Sequence, residues 1–326
     1  MVSSMSRIAC FAAAAMALLV SGARSADVYP SRPIRVVVGL AAGGGVDIVA
    51  RQLAEEMSAI LGQRVIVENR VGAGGNIASA DVARSAPDGY TLMMGNPPQL
   101  AINQSLYRNM GVNPEKDLIP IAQVTTLRFM AVVHKSVPVT TLKELVDYSR
   151  TRPEEISFGT AGVGSVGHLA VELLKSSSGA KLTHVPYRGA APAINDLVAG
   201  HVKFAIDAEA LLAQHVQSGV LKGLAVMARE RLTQLPEVPT IREAGFDDTV
   251  IEGWQGLVAP AGTPPDVVER LSGVLREVLQ KPQVRERLLA QAIIPAYLGP
   301  KEFGDLLTSE RARWKKVVEA TGARLD

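Results

Sequence analysis

The feature that most constrains the fold is a recurring order of buried strand, glycine-containing loop and helix. The run IRVVVGL at 34–40 is apolar and β-branched throughout, which is typical of a strand buried on both faces of a parallel sheet. Glycines follow it, and a helical pattern then turns Leu53 and Met57 inward until Gly62 ends it. The same order recurs with RVIVEN and YTLMMG. This alternation predicts an α/β fold.

Two long apolar segments, at Leu118–His134 and 250–260, interrupt the alternation and read as extended chain. Between them a second series is predicted, with helices at 142–150, 168–176 and 191–199 and strands at 156–158, 183–185, 202–206 and 223–228. After the second segment only helices are predicted, at 265–280, 282–291 and 300–321. Because those helices need a sheet to pack on, we predict a discontinuous first lobe (26–124 and 254–326) and an inserted second lobe (125–253). The two extended segments would form the hinge, and the cleft between the lobes is the expected ligand site.

The first 25 residues have the order of a secretory signal peptide. Arg7 precedes an apolar run at 8–20, and the small residues Ser21, Gly22, Ala23 and Ser25 follow, with cleavage expected near Ser25. The run is too short for a permanent membrane span, although the sequence leaves an uncleaved anchor open. Cys10, the only cysteine, lies inside this run, so an exported mature chain has no disulfide, no thiol catalysis and no cysteine-bound metal. These residues predict a periplasmic protein.

The charge balance argues against several partners. The 34 basic residues lose Arg7 and Arg24 with the signal, which leaves 32 against 32 acidic residues. No basic cluster with interleaved aromatic residues occurs, so we expect no nucleic-acid partner. The five histidines show no metal spacing, and we expect neither metal nor cofactor.

Several glycine-rich loops follow predicted strands and lead into predicted helices. A helix start leaves main-chain N–H groups unpaired, and glycine lets a ligand approach them closely, so such loops favour anions. These loops lie at 41–47, 72–76, 160–168 and 189–192.

The loop at 160–168 contains the dinucleotide fingerprint G-x-G-x-x-G, formed by Gly162, Gly164 and Gly167. A dinucleotide site needs an acidic residue about twenty positions on, and the stretch 181–189 has none. No glycine run continues into the G-K-[ST] of a P-loop either. An anion no larger than a small carboxylate fits these loops better.

The chain resembles the substrate-binding proteins of tripartite tricarboxylate transporters, the Bug family, over its whole mature length. The motifs that carry the resemblance are YPSRPIRVVVGLAAGGGVDIVAR, VIVENRVGAGGNIA, PDGYTLMMG, SFGTAGVGSVGHLAVELL, HVPYRGAAPAINDLVAG, VPTIREAG and WQGLVAPAGTP. The resemblance implies a type II periplasmic binding protein fold, with two α/β lobes joined by two crossover strands, and no catalysis. It also implies a small carboxylate ligand that is delivered to a membrane permease.

In such proteins, main-chain N–H groups from one loop of each lobe hold a ligand carboxylate. Carried over to this sequence, the resemblance implies the following ligand-binding residues: Ala42, Gly43, Gly44, Asp47, Asn96, Thr160, Ala161, Gly162, Gly164, Ser165, His168 and Asp207.

Two departures from the family pattern make the predicted pocket less polar. The first loop has Gly39-Leu40 where Pro-Phe is usual and Val46 where a hydroxyl residue is usual, and Ala208 follows Asp207 where Asn is common. We therefore expect a mono- or dicarboxylate, or a ligand with an apolar or aromatic body, rather than a tricarboxylate.

Several candidate residues also have a purely structural interpretation. Asp47 fits an N-cap better than a ligand contact. Ser165 fits a cap and a carboxylate donor equally, and His168 fits a hydrogen-bonded structural histidine somewhat better than a ligand. Asp207 would repel a bare carboxylate, so it suits a ligand amine, hydroxyl or water, or it orients loop N–H groups. Trp254 is expected to pack in the hinge.

Two other functions use the same cleft. A ligand-sensing adaptor for a membrane receptor kinase would have the same sequence features as a transport protein. An exported hydrolase is less favoured, because Val163 occupies a glycine position of G-x-S-x-G and no nucleophile–base pair is evident. We expect a monomer.

Overall fold

The computed structural model describes residues 29–152 and 154–325. The predicted signal peptide and its cleavage site lie outside these residues. Within them, no helix combines the length and apolar character needed to cross a membrane.

The described residues form ten strands and eleven α-helices, numbered here in chain order. The strands are β1 Ile34–Val38, β2 Val65–Asn69, β3 Thr91–Gly95, β4 Leu118–His134, β5 Ser157–Thr160, β6 Thr183–Pro186, β7 Phe204–Ala208, β8 Leu221–Val226, β9 Glu252–Pro260 and β10 Ile294–Leu298. The helices are α1 Gly45–Leu61, α2 Asn76–Ala83, α3 Asn103–Leu106, α4 Pro114–Asp117, α5 Leu142–Thr151, α6 Val166–Ser178, α7 Ala190–Ala199, α8 Glu209–Gln217, α9 Pro265–Gln280, α10 Pro282–Leu289 and α11 Pro300–Thr321. A π-helical turn, Pro98–Ile102, follows β3.

The strands form two sheets that share β4. In the first lobe the order is β2-β1-β3-β9-β4, and β10 also pairs with β4. In the second lobe the order runs from β4 through β7 and β5 to β6, and β8 pairs with β4. Strands β1, β2 and β3 are parallel, as are β5, β6 and β7, so the loops that follow them within each lobe lie at one sheet edge.

The 17-residue strand β4 connects the lobes by changing partners along its length. Its first part pairs with β9 as far as Arg128, and its second part pairs with β7 from Phe129 onward. The prediction that both long apolar segments are extended is therefore confirmed. The α/β fold with two lobes and two crossover strands is confirmed as well, while the lobe boundaries at 124/125 and 253/254 stay a prediction.

Two secondary-structure predictions were wrong. Strand β10 lies between α10 and α11, where only helices were expected, and Pro295 is tolerated there because β10 is an edge strand paired only with β4. Helix α8 follows β7 directly, where no helix was expected. Its N-cap Ala208 makes no side-chain hydrogen bond, so no capping residue marks its start in the sequence.

The hydrophobic core joins the two lobes on the side of the C-terminal helix. One buried cluster runs from Val37 in β1 through Phe129 and Phe158 to Trp314 of α11. The α11 helix also packs against α6 of the second lobe. Contact across this side positions the β5–α6 loop relative to the first lobe.

Candidate functional site

The first candidate loop, residues 41–45, links β1 to α1 and is exposed throughout. Helix α1 has Gly44 as its N-cap, and no side chain caps it. Gly43 has a φ of +79°, a left-handed conformation that favours glycine. The N–H groups of the first turn have no intrahelical acceptor, so the loop presents main-chain donors at the positive end of the helix dipole.

Asp47 stabilises this loop by hydrogen bonding and does not cap the helix. The expected N-cap role was wrong, because α1 begins two residues earlier, at Gly45. Asp47 Oδ2 accepts hydrogen bonds of 2.9 Å from the Gly43 N–H and from Arg51 Nε. Asn69 Nδ2 donates to Asp47 Oδ1 at 2.9 Å and to the Leu40 carbonyl at 3.0 Å. The Gly43 N–H is thus already used within the protein.

The carboxylate of Asp47 is 2% exposed, yet it remains ionised. Burial raises the pKa of Asp47, but hydrogen bonds from Arg51 and the Gly43 N–H outweigh burial and hold the pKa below its ordinary value. The negative charge of Asp47 is therefore balanced by the Arg51 guanidinium beside the loop.

The second candidate loop, residues 160–165, links β5 to α6 and is held by neutral groups. Thr160 Oγ1 lies 2.7 Å from His184 Nε2 and accepts from the Gly162 N–H at 3.2 Å. Ser165 is the N-cap of α6, and its hydroxyl accepts the His168 N–H at 3.2 Å. His168 Nδ1 in turn accepts the Gly164 N–H at 3.2 Å. The two candidate side chains are therefore tied to their own loop.

The imidazoles behind the second loop are uncharged at neutral pH. His168 stacks on His184 with ring centroids 4.2 Å apart, and His184 stacks on Phe158 at 4.8 Å. Burial, with a smaller contribution from Lys175, lowers the pKa of His168 to about 4. Burial and the neighbouring His168 lower the pKa of His184 to about 4 as well.

The glycine fingerprint has a packing explanation. Gly162 and Gly164 have φ angles of +127° and +80°, which favour glycine. A Cβ on Gly167 would overlap the Ile206 carbonyl oxygen, so glycine lets α6 pack closely on β7. A Cβ on Gly164 would overlap Leu106 Cδ2 of α3, which is where the second loop meets the first lobe.

Asp207 lies at the carboxyl end of β7. Its Oδ1 accepts the Ala208 N–H at 2.7 Å. Burial raises the pKa of Asp207 to about 6, with the bond from Ala208 acting in the opposite direction. A carboxyl group with this pKa is partly protonated in mildly acidic solution and can then donate a hydrogen bond.

The twelve candidate residues fall into separate groups. Ala42, Gly43, Gly44 and Asp47 lie together at the start of α1, and Asn96 follows β3 at the same sheet edge. Thr160, Ala161, Gly162, Gly164, Ser165 and His168 lie together in the second lobe, with Asp207 on β7. Over residues 29–152 and 154–325, no hydrogen bond joins the candidate residues of the first lobe to the candidate residues of the second lobe.

Sequence reasoning missed the residues that support the two loops. Asn69, Arg51 and His184 contact loop residues or Asp47, although none lies in a glycine loop. Asn69 is the last residue of β2, and His184 is the second residue of β6. Their positions near strand termini are the sequence signal that could have identified them. Trp254 is buried on β9, with its ring edge-on to Phe303 at 5.5 Å, and its place in a hinge stays a prediction. Among the described residues, no group of three His, Cys, Asp or Glu side chains could hold a metal ion.

The fold and the paired loops define a two-lobed solute-binding protein, and comparison with known proteins agrees. The family model of TctC, the tripartite tricarboxylate transporter family receptor, matches residues 49–323. Protein BugT of Bordetella pertussis is 36% identical over 302 residues, which cover 92% of this chain and 93% of that protein. The chain belongs to the tripartite tricarboxylate transporter receptor family, also represented by the Bug proteins.

Two solved structures extend the similarity to the whole fold. The R. palustris protein Rpa4515 with adipate has a TM-score of 0.79 at 35% identity, covering 90% of this chain and 98% of that one. MatC (Rpa3494) from Rhodopseudomonas palustris with bound malate has a TM-score of 0.76 at 33% identity, covering 89% of this chain and 100% of that one. The type II periplasmic binding protein fold expected from the sequence is thereby confirmed.

Proposed function

We propose that this protein captures a small organic carboxylate between its lobes, either a mono- or dicarboxylate or an acid with an apolar or aromatic body. The observation that carries the proposal is the pair of helix N-termini, α1 and α6, each preceded by a glycine loop of a different lobe. A hydrogen bond to a charged group contributes about 1.5–3 kcal/mol. Four such bonds, after the costs of binding, are compatible with micromolar affinity, which corresponds to about −8 kcal/mol.

The relatives support a carboxylate as the ligand. One structural relative carries adipate and another carries malate, and both of these ligands are dicarboxylates. Because this chain is only about one third identical to each relative, we carry over the class of ligand, a small carboxylate, and not adipate or malate itself.

The charges around the first loop disfavour a tricarboxylate. The nearby guanidinium, Arg51, already binds Asp47 and also donates to Asn69 Oδ1 at 2.9 Å. Val46 supplies no hydroxyl at the start of α1. A ligand with one or two negative charges therefore fits better than one with three.

We further propose that the protein works in the periplasm as a monomer and delivers its ligand to the membrane permease of a tripartite transporter. Closure of lobes 26–124/254–326 and 125–253 around the ligand would create the form that the permease recognises. Catalysis is not part of the proposal. Ser165 and His168 are joined through the backbone N–H of His168, so they do not form a nucleophile–base pair.

Titration calorimetry on the mature protein tests this proposal with a panel of mono-, di- and tricarboxylates that includes aromatic acids. We expect at least one mono- or dicarboxylate to bind with micromolar affinity and a stoichiometry of one. Low-micromolar binding of citrate in preference to every smaller acid would contradict the ligand class. If no acid on the panel bound, the carboxylate-binding function itself would be wrong.

A further inference from the structure

A row of polar side chains crosses the first-lobe sheet next to the loop at 41–45. Thr125 on β4 pairs with Gln255 on β9. Asn96 follows Gly95, whose partner on β9 is Gly256, the neighbour of Gln255. Three adjacent strands thus place Asn96, Gln255 and Thr125 at the same level of the sheet. This row lies where β3 ends and the candidate site begins.

These three side chains contain buried polar atoms without partners. Within the described parts of the chain, Asn96 Oδ1, Gln255 Oε1 and Thr125 Oγ1 have no hydrogen-bond partner. Gln255 is 3% exposed and Thr125 is fully buried. Nearby Gln123 differs, since its amide donates to Thr126 Oγ1 at 2.9 Å. Buried polar groups in native proteins are almost always paired, so an unpaired row beside the candidate loop favours a bound molecule that supplies the missing partners.

The amide of Gln255 reaches the N-terminus of α1. Its Nε2 lies 4.0 Å from the position that a Cβ on Gly45 would occupy. Gly45 is the first residue of a 17-residue helix whose N-cap, Gly44, makes no side-chain hydrogen bond. The main-chain donors of α1 and the amide group of Gln255, whose Oε1 is unpaired, therefore lie close together. The main-chain donors suit a carboxylate, whereas an amide oxygen needs a donor.

We propose that Gln255, Thr125 and Asn96 bind a hydroxyl group of the ligand, so that the site prefers hydroxycarboxylates to the same acids without the hydroxyl. A carboxylate only accepts hydrogen bonds and cannot pair with an amide oxygen, whereas a hydroxyl both donates and accepts. Turning either amide by 180° would let its NH2 group donate to a carboxylate as well, whereas a hydroxyl suits both orientations. The inference rests on the proposed function, because it assigns the substituent that accompanies the carboxylate.

Calorimetry with matched acids tests the preference. The pairs are L-malate and succinate, mandelate and phenylacetate, and lactate and propionate. The wild-type protein should bind the hydroxy acid of at least one pair about tenfold tighter or more, because the acid without the hydroxyl leaves the row unpaired. Equal affinity within every pair that binds would overturn this inference alone. No binding of any acid would overturn the proposed function and, with it, the inference.

The variant Gln255→Met removes the amide while keeping the length of the side chain. It should bring the two affinities of a pair to within about twofold, chiefly by weakening the hydroxy acid. The ligand-free variant should melt at the same temperature as wild type or higher, because an unpaired buried amide is lost. Thr125→Val, which is similar in shape, should reduce the preference in the same direction.

Gln123→Met is the matched control, since Gln123 lies on β4 next to the row but has a paired amide. It should lower the melting temperature and leave the preference for hydroxy acids unchanged. If Gln255→Met instead lowered the melting temperature as Gln123→Met does and weakened both acids of a pair equally, Gln255 would have a structural role and the inference would be wrong.

Discussion

The two candidate loops each lead into a helix N-terminus, but they are held in different ways. The first-lobe loop at 41–45 is exposed and is held by a charged group, Asp47, which bonds Gly43 and Arg51. The second-lobe loop at 160–165 is held by neutral groups, namely its own Thr160 and the stacked histidines behind it.

The two loops differ in how each avoids an excess of charge. Asp47 would repel a carboxylate if it stood alone, but Arg51 balances it within hydrogen-bond distance. On the other lobe, neutral imidazoles add no charge at all. Neither loop contains lysine or arginine, so in the proposed site the remaining main-chain N–H groups at the two helix N-termini would be the main attraction for a ligand.

The largest expected effect comes from Gly43→Val in the first loop. A Cβ would meet no atom within 4 Å, so the side chain would project into the open space through which the proposed ligand would approach the loop. We expect binding to fall at least about 100-fold, equivalent to the loss of one or two charge-assisted hydrogen bonds. The left-handed φ should also cost about 1–2 kcal/mol of folding free energy. Calorimetry and denaturant unfolding measure the two effects.

Gly219→Val is the control for this strain. Gly219 has a φ of +72° and equally open surroundings, but it lies after α8, away from both loops. It should destabilise the protein to a similar extent and leave binding intact. Normal binding by Gly43→Val would show that the first loop does not contact the ligand.

The next largest effect is expected for Asp47→Ala, which removes the charged support of the first loop. The Gly43 N–H and the Asn69 amide would lose their acceptor, and Arg51 would lose its partner. We expect a loss of about 2 kcal/mol in the free energy of unfolding, since Arg51 is half exposed and part of its charge is solvated. Affinity should fall about tenfold because the loop loses its order. An unchanged affinity would show that ligand binding does not depend on the order of this loop.

The neutral stack of the second loop should make the protein sensitive to acid. The pKa values of His168 and His184 are about 4 in the folded protein and lie below the ordinary value of 6.5. The unfolded chain therefore binds more protons between pH 6.5 and 4, and stability falls as the pH falls through this window. Asp207, with a pKa raised to about 6, acts in the opposite direction between about pH 4 and 6.

Replacing one histidine should reduce this acid sensitivity. For His184→Gln, we expect the difference in unfolding free energy between pH 7 and pH 4.5 to shrink by about 1 kcal/mol, measured by denaturant titration at both pH values. His201→Gln, at an exposed imidazole outside the stack, is the control for loss of a histidine. A pH dependence of His184→Gln identical to that of wild type would refute the buried neutral stack.

The smallest effect is expected for Ser165→Ala. Loss of the cap of α6 should cost about 1 kcal/mol of stability. If Ser165 acts only as a cap, affinity should change by less than about threefold. A much larger loss of affinity, with the same loss of stability, would show that its hydroxyl also reaches the ligand.

The sequence predicted the alternation of strands and helices, the two crossover strands and the glycine loops. Each of these depends on local patterns, such as β-branched runs in β1 or a glycine before α1, and local patterns are visible in a single chain. Strand β10 and helix α8 were not predicted. Pro295 is unfavourable in most strands and is tolerated in β10 only because it is an edge strand, and Ala208 at the start of α8 is not a capping residue. Tertiary pairing, rather than local propensity, selected both elements.

The family and the fold could thus be determined from the sequence by itself, since ordered motifs and buried strands leave little freedom in an α/β chain. Only the tertiary structure decided which contacts the individual side chains make. Asp47 supports a loop, His168 stacks on His184, and Gln255 joins Thr125 in an unpaired polar row. These roles depend on contacts between residues that are distant in the chain, and such contacts exist only after the sheets have formed.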